Sequence, residues 1–288
     1  MKFPWHKYEE LPVSRRNTLQ IFITNRCNLK CQGCFARKVM KDQVDISMKE
    51  YERAISKFVC EGGEQINLLG GEPLLHPELL KMLALNRKYQ LKTTIYTNGY
   101  FLHNFKSFEL ALTKIRISFY GPTTNKDLRF IENSDIRFDA NFMVSRVTTV
   151  EDLLQTAFEA EKCFKCKVFF ISSLRELDNP RQEFFDDTDL TMPVLQYKEL
   201  VHKFLARYDG NMEIHVSKRG VFESTLPGVV DNKCHFANYI IGGKIIQCPY
   251  DLVNEKYQKD YTFGTRYCQH NSTCLMAKVV YKRKSHEL

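Results

Sequence analysis

The chain has 288 residues, 43% of them hydrophobic and 26% charged, with ten cysteines and a formal net charge of +8. That composition is ordinary for a globular protein and excludes a disordered or low-complexity chain. No run reaches the length of a membrane span, and Met1 to Lys7 has no apolar signal-peptide core, so the expected location is the cytoplasm, away from membrane.

From Thr18 the sequence alternates strand-like runs with helical patterns. Leu19–Ile23 reads as a strand, and Ser47 with Glu50 forms a capping box for a helix with Met48, Tyr51, Ala54, Ile55 and Phe58 inward. Gly62-Gly63 ends that helix, and Gln65–Leu69 is the second strand. Pro77 marks the next helix start, with Leu79, Leu80 and Leu83 facing in. Thr93–Tyr96, Lys114–Phe119, Phe138–Val144 and Lys167–Ile171 complete six strands, with a helix from Thr149 to about Phe164 before the last. Strands separated by helices predict a parallel sheet, whose ligands sit at the carboxyl ends of the strands. Periodicity alone is compatible with an open sheet and with one curling towards a barrel.

Beyond Leu174 the rhythm changes. One helix is expected over Tyr197–Tyr208, with Leu200, Val201, Phe204 and Leu205 on its apolar face. Gly242-Gly243 then signals a hairpin between Tyr239–Ile241 and Lys244–Gln247. The basic run Lys282-Arg283-Lys284 reads as a terminal tail.

Directly after the first strand stands Cys27-Asn28-Leu29-Lys30-Cys31-Gln32-Gly33-Cys34. Three thiolates in a C-x3-C-x2-C loop can hold one face of a [4Fe–4S] cube and leave its fourth iron without a protein ligand. A zinc site, the competing reading, prefers C-x2-C pairs closed to four ligands. After the second strand comes Gly70-Gly71-Glu72-Pro73, and after the third Thr97-Asn98-Gly99.

On these motifs the segment from about Thr18 to Leu174 resembles the radical S-adenosylmethionine (SAM) superfamily. The resemblance implies a partial (β/α)6 TIM-like barrel of α/β class, with a [4Fe–4S] cluster on Cys27, Cys31 and Cys34. It implies SAM bound at Gly70, Gly71, Glu72 and Pro73, at Thr97 and Asn98, at Ser118 and Asn141, and beside Ile171. Many relatives carry an aromatic residue before the third cysteine. Here Gly33 stands there, and Phe35 is the candidate substitute.

Four further cysteines, Cys234, Cys248, Cys268 and Cys274, with Gly243 five positions before Cys248, resemble the twitch and SPASM extensions of that superfamily. The resemblance implies an auxiliary [4Fe–4S] cluster in an α+β extension, against a four-cysteine zinc ribbon as the alternative. The domains are then 1–17, an N-terminal extension; 18–176, the partial barrel; 177–232, a linker and bridging helix; and 233–288, the auxiliary-cluster extension. Cys60 is expected to be buried at a helix end, and Cys163 and Cys166 have no assigned role.

The implied chemistry is reductive cleavage of SAM to a 5′-deoxyadenosyl radical that abstracts hydrogen from the substrate. Electrons are expected from a flavodoxin or ferredoxin. A small-molecule substrate is preferred over a ribosomal peptide, and the positive charge suits an anionic substrate or an acidic donor. A non-catalytic metal- or RNA-binding protein is the third reading. No interleaved aromatic and basic stripe supports nucleic acid as a partner.

Overall fold

The computed structural model of the chain describes residues 5–11, 17–31, 34, 36, 42–105, 113–120, 137–164, 166–173, 190–217, 233–234, 236–246, 266–267 and 278–283. The six expected strands are present as β2 (Thr18–Thr24), β3 (Gln65–Gly70), β4 (Lys92–Thr97), β5 (Thr113–Ser118), β6 (Phe138–Val144) and β7 (Val168–Ser173). They lie side by side in chain order, all parallel.

The sheet extends at both edges. Next to β7 runs β8 (Glu213–Ser217), also parallel. Beyond it come β13 (Lys278–Arg283) and β1 (Trp5–Leu11), each antiparallel to its neighbour. Lys282 and Arg283 therefore belong to a strand, paired with His6 and Trp5, and not to a loose tail. On the other edge, β10 (Phe236–Ile240) runs parallel to β2, and β11 (Lys244–Ile246) returns from it. The hairpin loop has both glycines at positive φ, +92° at Gly242 and +80° at Gly243, as the Gly-Gly pair predicts. The short strands β9 (Lys233–Cys234) and β12 (Arg266–Tyr267) form a separate antiparallel pair.

Four α-helices belong to the described residues: α1 (Met48–Cys60), α2 (Leu79–Lys88), α3 (Val150–Phe164) and α4 (Val194–Arg207). Alternate strand residues such as Leu19, Ile21, Leu68, Ile115, Phe169 and Ile214 join Tyr51, Ile55, Met82, Leu153 and Phe204 of the helices in one core. Truncating Phe58 or Phe204 there would cost about 3–5 kcal/mol. Of the expected inward residues of α2, Leu79 and Leu83 are buried, but Leu80 is 42% exposed and Met82 takes its place. The helix starts at Leu79, and its buried stripe follows the i, i+3, i+4, i+7 spacing of Leu79, Met82, Leu83 and Asn86, which leaves Leu80 about 100° off it. Cys60, expected inside, is exposed at the last position of α1.

Half of the Ser47 capping box forms: the Ser47 hydroxyl accepts from the Glu50 N–H at 3.2 Å. The Glu50 carboxylate instead accepts from the Tyr239 hydroxyl at 2.9 Å and the Gly242 N–H at 2.8 Å, fastening the β10–β11 hairpin to α1.

The opposite face of the sheet is polar. Asn238, Gln20, Asn67 and Thr94 are register neighbours across β10, β2, β3 and β4, and all are buried. No helix among the described residues is long and apolar enough to cross a membrane.

Candidate functional site

The cysteine loop leaves β2 and returns beside it, closed at its neck. The Asn25 N–H donates to the Val44 carbonyl at 2.7 Å, and the Ile46 N–H to the Ile23 carbonyl at 2.9 Å. Arg26 grips Asp45 with two nitrogens, at 3.1 and 2.8 Å, and also donates to the Leu75 carbonyl at 2.7 Å. The Thr24 hydroxyl donates to the same carboxylate at 2.6 Å. Such bidentate, charge-assisted bonding fixes direction as well as distance. Between these anchors hang Cys27, Cys31 and Cys34, of which Cys31 is exposed and the others half-buried.

Gly70 and Gly71 lie against the start of this loop. A Cβ on Gly70 would stand 2.3 Å from the Thr24 carbonyl oxygen, and one on Gly71 2.3 Å from that of Arg26 and 2.9 Å from the Cys27 Cβ. The Gly71 and Glu72 N–H groups donate to the Thr24 and Arg26 carbonyls, both at 2.8 Å. The glycines thus let the end of β3 approach the cysteine loop itself.

Glu72, 1% exposed, joins a third loop to the other two. Its Oε1 accepts from the Thr97 hydroxyl at 2.7 Å and the Leu74 N–H at 3.1 Å, and its Oε2 from the Asn98 N–H at 2.8 Å. Asn98 in turn donates its side-chain amide to Asn28 Oδ1 at 2.8 Å. The turn after β4 is therefore tied both to the Glu72 carboxylate and to the cysteine loop. Pro73 opens a short 3-10 turn, Pro73–Leu75, and is buried.

His76, which sequence reasoning missed, clamps the far side. Its Nε2 lies 3.0 Å from the Ile46 carbonyl, and its Nδ1 accepts from the Glu78 N–H at 3.1 Å, so Nε2 carries the proton. Burial lowers the pKa of His76 below its usual 6.5; the Ile46 carbonyl, Asp45 and Glu78 oppose this without reversing it. A base with a depressed folded pKa binds fewer protons folded than unfolded. Its stabilisation is present above pH 6.5 and is lost as the pH falls from there towards the lowered folded value. The unfolding temperature should fall over that interval, and less steeply in a His76→Gln variant. Parallel profiles would remove His76 as the cause.

Ser118, at the end of β5, and Asn141, in the middle of β6, are register partners, continued by Phe170 in β7 and His215 in β8. This row faces away from the helices. Ile171 does not: it is 0% exposed in the core between sheet and helices, and its carbonyl accepts from the Tyr197 hydroxyl at 3.0 Å. The Ile171 side chain therefore lies on the face opposite Ser118 and Asn141, whereas its neighbours Phe170 and Ser172 share the face of that pair, because a strand turns alternate side chains to opposite faces. His215, 6% exposed, lies 3.1 Å from Glu213 Oε2, two positions earlier on the same face.

Tyr120, just past β5, packs its ring on Phe142 with centroids 5.3 Å apart. Desolvation pushes its hydroxyl up to about 12, and the charges of Cys31 and Cys34 add to this. Phe35, the expected aromatic neighbour of the cysteines, lies outside the described residues.

The donor set fits an iron–sulfur cube. Burial raises the pKa of the Cys27 thiol, and the charges of Glu72 and Cys31 raise it further against the Leu29 N–H. A cationic centre reverses that balance, since metal ligation deprotonates a thiol outright. Of the second cysteine group, Cys248, Cys268 and Cys274 lie outside the described residues, and Cys234 is described by its backbone in β9. That backbone pairs with Arg266, two positions before Cys268. Among the described residues no group of three His, Cys, Asp or Glu side chains is arranged for a single metal ion.

Residues 21–142 match the family model described as the Radical SAM superfamily. The GTP 3′,8-cyclase of Staphylococcus carnosus is 24% identical over 197 residues, covering 63% of this chain and 54% of that protein. An S-adenosylmethionine-dependent nucleotide dehydratase of a Thermoplasmatales archaeon is 35% identical over 91 residues, 32% of each. The chain thus spans about half or less of these relatives' lengths. Among solved structures, SuiB of Streptococcus suis bound to its precursor peptide SuiA superposes with a TM-score of 0.68 at 16% identity, over 86% of this chain and 63% of SuiB. That likeness bears out the α/β partial-barrel fold.

Proposed function

We propose that this chain is a radical SAM enzyme acting on a small molecule by dehydrogenation or epimerisation. The reading rests above all on one arrangement: the start of the cysteine loop, at Cys27 and Asn28, stands beside the glycine turn after β3 and the Thr97–Asn98 turn after β4, at the carboxyl ends of adjacent parallel strands. A cluster held by Cys27, Cys31 and Cys34 would supply the electron that splits SAM into methionine and a 5′-deoxyadenosyl radical.

The chain's own residues do the rest. Arg26 and Asp45 hold the loop neck, and the end of β3 packs against the loop through glycine. Glu72 fixes the adjoining turns, while Ser118 and Asn141 offer polar groups for ribose and carboxylate. Cys234, Cys248, Cys268 and Cys274 hold an auxiliary [4Fe–4S] cluster, and a flavodoxin or ferredoxin delivers electrons in the cytoplasm. Two sequence relatives are named for reactions on nucleotides, which favours a small-molecule substrate. The fold likeness to SuiB with its peptide keeps a peptide maturase as the second reading.

Anaerobic reconstitution tests this. About eight irons per chain are expected, falling to about four when Cys27, Cys31 and Cys34 are all changed to alanine. Dithionite-driven conversion of SAM to 5′-deoxyadenosine should occur only in the wild type. About four irons in the wild type and none in the variant would remove the auxiliary cluster. SAM left intact by the eight-iron protein would remove the enzyme reading.

A further inference from the structure

The polar face of the sheet holds a charge cluster that the SAM site does not use. Asp139 of β6, fully buried, is surrounded by three cations. Lys114 forms an ion pair with it, Arg116 lies 3.5 Å away and Arg137 3.4 Å away. One carboxylate facing three cations leaves an excess of two positive charges. Lys114 registers that excess: burial lowers its pKa, Arg116 lowers it further, and Asp139 makes up only part of the loss.

Arg116 is held for presentation. Its guanidinium lies between two rings, 5.2 Å from the centroid of Tyr96 and 5.5 Å from that of Phe170, and donates to the Tyr96 hydroxyl at 3.3 Å. Its Nε–H is buried and has no hydrogen-bond partner among the described residues. A buried donor left unsatisfied costs about 1–3 kcal/mol. The cluster is reachable from its rim, where the Arg137 side chain is 57% exposed, that of Lys114 30% and that of Arg116 14%. By strand alternation Arg116 shares a face with Ser118, one residue pair further along β5. An anion at Arg116 would thus sit on the same side of the sheet as SAM.

We infer that Arg116 and Lys114, with Arg137 at the rim, form a phosphate-binding subsite, and that the substrate carries a phosphoryl group seated there. The inference rests on the radical SAM reading for what the bound molecule is for, but not for whether it binds. A fixed guanidinium fork beside a lysine matches phosphate oxygens in both geometry and charge.

The test is calorimetric titration of the anaerobically reconstituted full chain with inorganic tripolyphosphate at low salt, with a glutamate-rich peptide as the carboxylate control. Wild type should bind tripolyphosphate, and Arg116→Gln should weaken it at least tenfold. That change removes one of 42 Lys and Arg residues, so diffuse binding to a basic surface would scarcely register it. Asp139→Asn removes the competing carboxylate and should tighten binding severalfold. A purely structural ion-pair cluster predicts no gain from that change. If Arg116→Gln does not fold, Lys114→Gln and Asp139→Asn decide. The inference is overturned by a wild type that does not bind, by variants with unchanged affinity, or by tighter binding of the acidic peptide than of tripolyphosphate. Binding without SAM cleavage would remove the radical reading and leave the subsite. Cleavage without binding would remove the subsite alone.

Discussion

Replacing Gly71 by alanine will leave a protein that loads little iron and cleaves SAM at least about a hundredfold more slowly. The added Cβ would stand 2.3 Å from the Arg26 carbonyl oxygen, where ordinary contacts begin at 3.4 Å, so the two strand ends must part by roughly an ångström. Neither side can give easily. The Arg26 carbonyl accepts the Glu72 N–H at 2.8 Å, and the Arg26 side chain is pinned to Asp45 and Leu75. The displacement is therefore passed on to Cys27, one residue along. Positioning errors of this size cost about two orders of magnitude in rate. Iron per chain after reconstitution and the initial rate of 5′-deoxyadenosine formation would decide the matter. Normal iron with a normal rate would show that the loop tolerates the separation and that the glycine is not a steric requirement.

Much of the sheet was legible because its signal is local. The strands from Leu19 to Ile171 declare themselves by alternation, and the Gly242-Gly243 turn by the need for positive φ. What stayed hidden depends on partners far along the chain. The run from Trp5 to Leu11 is a strand only because Lys278–Arg283 pairs with it, and neither segment announces the other. Glu50 has the spacing of a capping residue, yet a hairpin some 190 positions later takes its carboxylate. No periodicity carries that information.

The polar face is a different kind of miss, because its signal was present. Parallel strands covered on both faces normally read as continuous apolar runs. Here β5 reads Thr-Lys-Ile-Arg-Ile-Ser, with Lys114, Arg116 and Ser118 at alternate positions. In a parallel sheet that alternation says that the face away from the helices is not packed with hydrocarbon. It puts Arg116 on that face. The candidate site was legible where motifs end strands. At Ile171 one position along a strand exchanges the two faces, and its side chain turns into the core.

The same logic gives Glu72 a second task, which a conservative substitution can separate from SAM binding. Glu72→Gln should lower the unfolding temperature of the protein even without SAM. The carboxylate accepts from Thr97, Leu74 and Asn98, so both oxygens are in use. A glutamine has one carbonyl oxygen. With that oxygen facing Thr97 and Leu74, its NH2 confronts the Asn98 N–H, leaving a buried donor unsatisfied at a cost of about 1–3 kcal/mol. In a chain of this size that is roughly 2–5 °C in unfolding temperature. Alanine, which strands all three donors and opens a cavity, should cost about 3–5 kcal/mol. Were Glu72 only a partner for the SAM ammonium, Gln would weaken SAM binding and leave the unliganded protein as stable as before. Thermal unfolding without SAM, set beside a SAM titration of the same variants, separates the two. A stability loss in the unliganded protein makes the carboxylate a staple between the turns after β3 and β4, and any loss of SAM affinity then follows in part from the shape of that cradle.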